Sequence, residues 1–370
     1  MRSNDSQAEL RGSFWVMVLY DVAEQIHLDR LRELVGGEPP RREPSFKHPA
    51  PEYVRFERPP VVVYPDPVSI SSGERFRSQM KFFDYGVVSV ELELNFESAW
   101  TDLVHLSSRW IAAPEIEKCT AELLRAQLDR CGPALVQPYA SWLSEDYYVI
   151  HLREAFDDGG EPMQASAMLA ARGDQIAQIV RGESVPLAET ERAEALHSSL
   201  SYYPSDLLVV GWVAALVYDT PEGAVPAIQL LEYANTQLLE FRHYDEVLTR
   251  VLGDVYKMLE HKGGLLRHWR MARQAERLNT MRLDITELSE RTDNAIKFLS
   301  DMFYARAYRV AASRVGVTDY RDLVEQKLRI AGDLYESMVN EFHQARAFVL
   351  EAMVVAILVI ELIHLFGGRR

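Results

Sequence analysis

The sequence holds few of the residues that announce a chemistry. Its two cysteines, Cys119 and Cys131, exclude a disulfide framework and a thiolate metal knuckle. They lie twelve residues apart with no triad order around them, so no catalytic cysteine is expected. An excess of basic residues is missing too. The 40 Lys+Arg against 55 Asp+Glu leave a net charge of −15, which argues against free nucleic-acid binding by long-range attraction. No His-Glu-x-x-His occurs. His243 and His261, like His343 and His364, stand at neither i,i+3 nor i,i+4 spacing, so no metal ligands are expected. Gly159-Gly160 and Gly263-Gly264 lack the Lys-Ser/Thr of a phosphate loop and follow no strand. Asp157-Asp158, beside the first of these glycine pairs, reads as a loop before it reads as an acid–base pair. Neither a catalytic residue nor a cofactor is expected. No signal peptide is expected either: Phe14–Tyr20 is too short for a signal-peptide core and runs into Asp21 and Glu24. The chain is therefore expected to begin inside the cell.

What is present is ordinary globular material. Hydrophobic residues make up 48% of the 370 positions and charged residues 26%, enough for two or three units at roughly 100–200 residues each. Phe14–Tyr20 reads as a buried strand and Ile26–Val35 as an amphipathic helix ended by Gly36-Gly37. Seven prolines between Pro39 and Pro60 follow. Val54–Tyr64, interrupted by Pro59-Pro60, is expected at a sheet edge. Along Phe82–Phe96 the residues alternate. Val88, Val90, Leu92, Leu94 and Phe96 share one face and Ser89, Glu91, Glu93 and Asn95 the other, the pattern of a half-buried strand. Ala99–Ala112 and Glu115–Arg130 read as helices broken at Pro114. A similar order then recurs: Asp146–Arg153 as a strand, Met163–Arg181 and Leu187–Leu200 as helices, and the apolar run Leu207–Tyr218. The recurrence reads either as two duplicated ferredoxin-like units or as a single α+β domain with unrelated strands.

No strand is expected from Pro221 to Arg314. Val225–His261 is helical. Beyond Gly263-Gly264, Leu278, Ile285, Thr292 and Leu299 recur every seven residues, with Met281, Leu288, Ala295 and Met302 interleaved. That is a coiled-coil heptad. Gly316 can close this helix and Thr318 or Asp319 can cap the next. The next repeats the pattern with Val324, Ala331, Met338 and Ala345 in one series and Leu328, Tyr335, Phe342 and Val349 in the other. A short turn between two heptad helices favours an antiparallel hairpin with its tip at Gly316.

The second helix passes into Phe348–Phe366, nineteen residues that approach the roughly 20 needed to span a bilayer. Its apolar side chains are Phe348, Val349, Leu350, Met353, Val354, Val355, Ile357, Leu358, Val359, Ile360, Leu362 and Ile363. Glu351, Glu361 and His364 are its polar members. The expectation is a C-terminal transmembrane helix: a tail anchor holding the rest of the chain at the cytoplasmic face, with the bilayer as a partner. Arg267, Arg270 and Arg273, around Trp269, form a basic patch that could touch anionic lipid heads or RNA, or simply face solvent.

The C-terminal third resembles the required-for-meiotic-nuclear-division (RMD) family, also classed as a domain of unknown function. Asn279, Arg282, Leu283 and Asp284 fit one of its motifs. Arg346, Leu350 and Glu351 fit a second, and Glu361 fits its late glutamate. Phe83-Asp84-Tyr85-Gly86-Val87-Val88 is similar to its aromatic–Gly–Val strand, although Val90-Glu91 stands where that strand continues into Phe-Trp. The resemblance implies a membrane-anchored protein without established catalysis.

Taken together, an α+β part is expected over 1–130 and 131–262, a coiled-coil hairpin over 263–346 and a transmembrane helix over 347–366. The function expected is that of a membrane-tethered, non-enzymatic scaffold that binds protein partners, itself included. The alternatives are an enzyme with a cleft in the α+β part, and an RNA or ribosome tether through Arg267–Arg273.

Overall fold

The computed structural model describes residues 10–36, 59–70, 73–157, 159–260, 276, 278–283, 285–286 and 302–367. The chain divides into two units, one of Met1–His243 with Thr292–Tyr320 and the other of Tyr244–Arg291 with Arg321–Arg370.

In the first unit, β1 (Leu10–Ile26) leads to α1 (Leu28–Val35), which Gly36 closes at φ 62°. Strands β2 (Val61–Val63), β3 (Val68–Ser69), β4 (Arg75–Phe82) and β5 (Val87–Ser98) follow. Then come α2 (Trp100–Trp110), α3 (Pro114–Cys131) and β6 (Leu135–Ala155). Helices α4 (Ala165–Arg181) and α5 (Glu189–His197) precede β7 (Ser199–Leu200), β8 (Leu207–Val210) and β9 (Ala214–Tyr218). Helix α6 (Pro221–Glu260) starts on a proline, whose missing N–H costs nothing in a first turn. Helix α7 (Met302–Val315) ends at Gly316, φ 93°, and α8 (Val317–Gly367) begins directly after it.

The strands form one nine-stranded sheet in the order β2-β4-β5-β1-β6-β9-β8-β7, with β3 paired to β4. The long β1 pairs antiparallel with β5 on one side and β6 on the other, while β6 and β9 run parallel. This corrects the expected α+β architecture and its ferredoxin-like duplication. Strands from both halves of the recurrence enter a single mixed sheet, because the buried β1 offers two pairing edges and each half takes one. The apolar run Leu207–Tyr218 is a hairpin, β8–β9, turned at residues 211–213. The proline-flanked segment supplies the edge strand β2, as its sequence suggested.

One face of the sheet carries Phe14, Val16, Val18, Val88, Val90, Leu92, Ile150 and Leu152. It is buried with Trp100, Leu103, Leu124, Met168 and Ile176 of α2, α3 and α4 in one apolar core. The opposite face carries Met17, Leu19, Ser89, Glu91, Tyr147, Val149 and His151, all buried as well. Helix α6 lies against this second face through Glu232, Thr236, Arg242 and His243.

In the second unit α8 is a single helix through the apolar tail. Among the described residues no helix is long and apolar enough to cross a membrane. This overturns the expected span over Phe348–Phe366, and with it the tail anchor and the membrane placement. The physical reason lies in the charges. Glu351 and Glu361 leave only Ala352–Ile360 without a polar group, about 14 Å of helix against a hydrocarbon core of roughly 30 Å.

Candidate functional site

Among the described residues of the first unit, a cluster of buried charges lies on the second sheet face. In the β4–β5 pairing Gln79 stands opposite Glu91, and Lys81 opposite Ser89. Residues two apart share a face, so all four project toward α6. Met17 and Leu19 of β1 flank Glu91 and Ser89 on the other side. The hairpin that sets this register turns at Gly86, φ 92°. A Cβ there would come within 1.8 Å of the Ala23 carbonyl oxygen, so the turn can sit against β1 only with glycine.

Glu232 descends from α6 onto this row. The Lys81 Nζ donates to Glu232 Oε2 at 2.6 Å and also pairs with Glu91 Oε1. The Gln79 amide donates to Glu91 Oε2. Lys81, Glu91 and Glu232 keep 13%, 1% and 4% of their side-chain surface exposed. Just beyond, Tyr85 O–H and Thr236 Oγ1 meet at 3.1 Å, and Thr236 bonds back to the Tyr233 carbonyl at 2.8 Å. Tyr308 of α7 donates to Gln237. Buried Asp21 and half-buried His243 form a second pair at 2.6 Å, with Tyr139 stacked on the imidazole. Arg242 holds Glu145 beside them.

The two carboxyls of the cluster part company electrostatically. Burial pushes Glu91 up to about 8. The Lys81 charge opposes that rise, and the Glu232 charge adds to it. Burial also disfavours ionised Glu232, but the Lys81 charge and hydrogen bonds from Glu91, Lys81 and Ser89 outweigh it and lower its pKa. Burial would lower Lys81; the charges of Glu232 and Glu91 raise it instead. With Glu91 raised, Glu232 lowered and Lys81 raised, the cluster at neutral pH is an ammonium, one carboxylate on Glu232 and one protonated carboxyl on Glu91. Such an arrangement can hold and release one proton near neutrality. Asp21 is raised by burial against the bond and charge of His243.

Lys81, Gln79 and Glu232 were not singled out from the sequence, and His243 was weighed there only as a metal ligand. Glu91 was assigned to the solvent side of β5. The missed signal is Glu232, Asn235, Thr236 and Gln237, four polar residues within six positions of α6 and all buried.

The residues that the sequence did single out fall elsewhere. Of the heptad positions, Leu278, Met281 and Ile285 are buried, Leu328 is half-buried, Tyr335 is 39% exposed and Met302 is 88% exposed. Leu288, Thr292 and Leu299 lie outside the described residues, as do the side chains of Met338 and Phe342. Arg267, Arg270 and Arg273 lie outside them too. On α8, Met353, Val354, Val355, Ile357, Leu358 and Val359 are 50–59% exposed. The side chains of Phe348, Val349, Leu350, Ile360, Leu362 and Ile363 are not among those described. Cys119 and Cys131 are free, and burial raises both thiols. Asp157 forms the expected loop, its Oδ1 accepting the N–H of Gly159 and Glu161 at 2.9 Å each. Among the described residues no group of three His, Cys, Asp or Glu is placed to hold a metal ion.

Comparison with known proteins corrects the RMD resemblance. The matching family model is "Uncharacterized protein MJ0711, N-terminal domain", over residues 11–224. It covers the sheet rather than the C-terminal third. The RMD-like positions Arg282, Leu283, Arg346, Leu350 and Glu351 are residue types that any amphipathic helix repeats, so they carry little identity. A relative, uncharacterized protein MJ0711 of Methanocaldococcus jannaschii, is 20% identical over 188 residues. That match covers 51% of this chain and 58% of the relative. No solved structure matches the chain. The family match runs from β1 into the first turn of α6, so Lys81 and Glu91 fall inside it and Glu232 beyond it. With more than half its length in that match, the chain belongs to the family described as uncharacterized protein MJ0711, N-terminal domain.

Proposed function

We propose that the protein is a non-enzymatic interaction protein. Its sheet-based unit is a rigid support, and α8 meets a protein partner, with a second copy of the chain the first to test. One observation carries this reading. Met353, Val354, Val355, Ile357, Leu358 and Val359 are each at least half exposed on α8, and consecutive positions of this kind leave the helix apolar on every side. A helix of that kind is stable in water only when something covers it, and contiguous exposed apolar side chains mark contact surfaces. Sedimentation velocity of the full chain tests the reading. The wild type should sediment as an assembly, and Val354→Lys with Leu358→Lys should return it to monomer without altering the sheet unit. Identical sedimentation of the two proteins, each monomeric, would remove the second copy as partner.

A second reading, an enzyme whose site lies in the sheet unit, has one point in its favour. A carboxyl raised to about 8 beside an ionised one is the pairing general acid–base catalysis uses. Against it stands closure, since a substrate must reach a side chain that is 1% exposed. Carbodiimide coupling of the folded protein separates the two. The interaction reading expects Glu91 and Glu232 unlabelled while surface carboxyls react; rapid labelling of Glu91 would favour the enzyme.

A further inference from the structure

The Lys81–Glu91–Glu232 cluster joins two elements with no covalent neighbourhood: Lys81 and Glu232 are 151 residues apart in the chain. The sheet contributes Lys81, Gln79, Ser89 and Glu91, and α6 contributes Glu232. We infer that these groups form a one-proton latch holding α6 on the sheet, closed while Glu91 and Glu232 share a proton and loosened when that proton leaves. The charge count is simple. One ammonium, one carboxylate and one carboxyl sum to zero. Loss of the proton from Glu91 to solvent leaves two carboxylates against one ammonium, a net negative charge at a place almost without water. Relief comes from movement of the element that carries one of the two carboxylates, and the sheet, paired on both sides of β5, is the stiffer partner.

The other groups facing the cluster do not absorb that charge. Gln79 on β4 donates to Glu91 and cannot take up a proton to compensate. Met17 and Leu19 on β1 are apolar. Tyr85, at the hairpin, is held well above its ordinary range, first by burial and then by Tyr233, so it stays neutral. Glu240 and Tyr233 of α6 lie close enough to act on Tyr85, and their negative forms would add to the repulsion. Lys81 is the cluster's cation, and its raised pKa keeps it charged over the same range. The direction for Glu91 fits the geometry: its raised pKa puts the release of the proton within reach of mildly alkaline conditions.

Hydrogen exchange of the full chain, read at α6 peptides and corrected for the intrinsic pH dependence of exchange, tests the latch. Between about pH 7 and pH 9 the wild type should lose roughly tenfold protection in α6, within the hundredfold limit for one proton over two pH units. Peptides of α3, on the other sheet face, should not change. Glu91→Gln keeps an acceptor for Gln79 and a donor for Glu232 but has no proton to lose, so its α6 protection should stay flat. Glu232→Gln makes the cluster neutral with Glu91 ionised, so its loss of protection should move to the acid side. An alkaline loss in Glu91→Gln as large as in wild type would overturn the latch, and so would a flat wild type. Should Glu91→Gln fail to fold, an unchanged alkaline loss in Glu232→Gln overturns it equally.

Discussion

Between Val88 and Leu92 the two faces of strand β5 are equally buried and chemically opposite. Val88, Val90 and Leu92 on one side enter the apolar core under α2–α4, while Ser89 and Glu91 on the other lie beneath α6. The first face is stabilised by removal of apolar surface from water, which is indifferent to pH. The second is held by a cation and two carboxyls whose desolvation each costs several kcal/mol unless the set is complete. The same strand therefore teaches that equal burial does not mean equal robustness. The apolar face degrades gradually as atoms are removed; the charged face fails when one member is lost or one proton moves.

The largest expected effect comes from breaking the charged face outright. Lys81→Met leaves two carboxyls without their cation and should destabilise the first unit by about 3–5 kcal/mol at neutral pH. Urea unfolding measures it, and acid should restore part of the loss by protonating both carboxyls. On the apolar face Ile150→Ala, at a fully buried position, should cost about 2–5 kcal/mol through lost contacts and a cavity. The same unfolding series should find that cost unchanged with pH, and a pH-dependent cost would erase the contrast between the faces. Smaller still is Thr236→Val, which removes the hydroxyl that meets Tyr85. It should cost about 1–3 kcal/mol, since a buried phenol loses its partner. The smallest effect lies two residues before Gln79 on β4. There Arg77 pairs with Glu93 at 2.9 Å, but Arg77 is 62% exposed. Arg77→Ala should change stability by no more than about 1 kcal/mol and less in high salt. The Lys81, Thr236 and Arg77 measurements grade the charged sheet face from sealed centre to solvated rim, and Ile150→Ala gives the reference on the apolar face.

Much of the scaffold was legible because it is written locally. Gly36 and Gly316 end their helices with positive φ, and Pro114 and Pro221 open theirs, as the residue types require. The alternation in β5 correctly separated Val90 from Glu91. What alternation does not contain is the destination of the second face, which depends on α6 lying over it. That is a contact at a separation of 151 residues for Lys81 and Glu232, with no local trace. A polar residue on an alternating strand reads as solvated unless a distant partner is known. The duplicated-unit expectation failed for a related reason: strand pairing across the sheet is set by β1, and nothing in the later strands names it as their neighbour. In the apolar tail the run of hydrophobic residues outweighed two glutamates in the sequence reading, and those glutamates limit the uninterrupted stretch to Ala352–Ile360.

The proton that Glu91 carries at neutral pH sets how the stability of the charged face depends on pH. The sign follows from linkage. A carboxyl whose folded pKa, about 8, lies above its ordinary value contributes stability that is complete below the ordinary value and is lost as pH rises through about 8. The direct measurement is urea unfolding of wild type and Glu91→Gln from pH 6 to pH 9, followed by tryptophan fluorescence; Trp15, Trp100, Trp110, Trp142 and Trp212 all lie in the first unit. The wild-type midpoint should fall from pH 6 to about pH 8 and level off above it, while the Glu91→Gln midpoint stays level throughout, so that the two curves converge or cross at alkaline pH. Parallel curves, with both proteins responding to pH alike, would contradict the account.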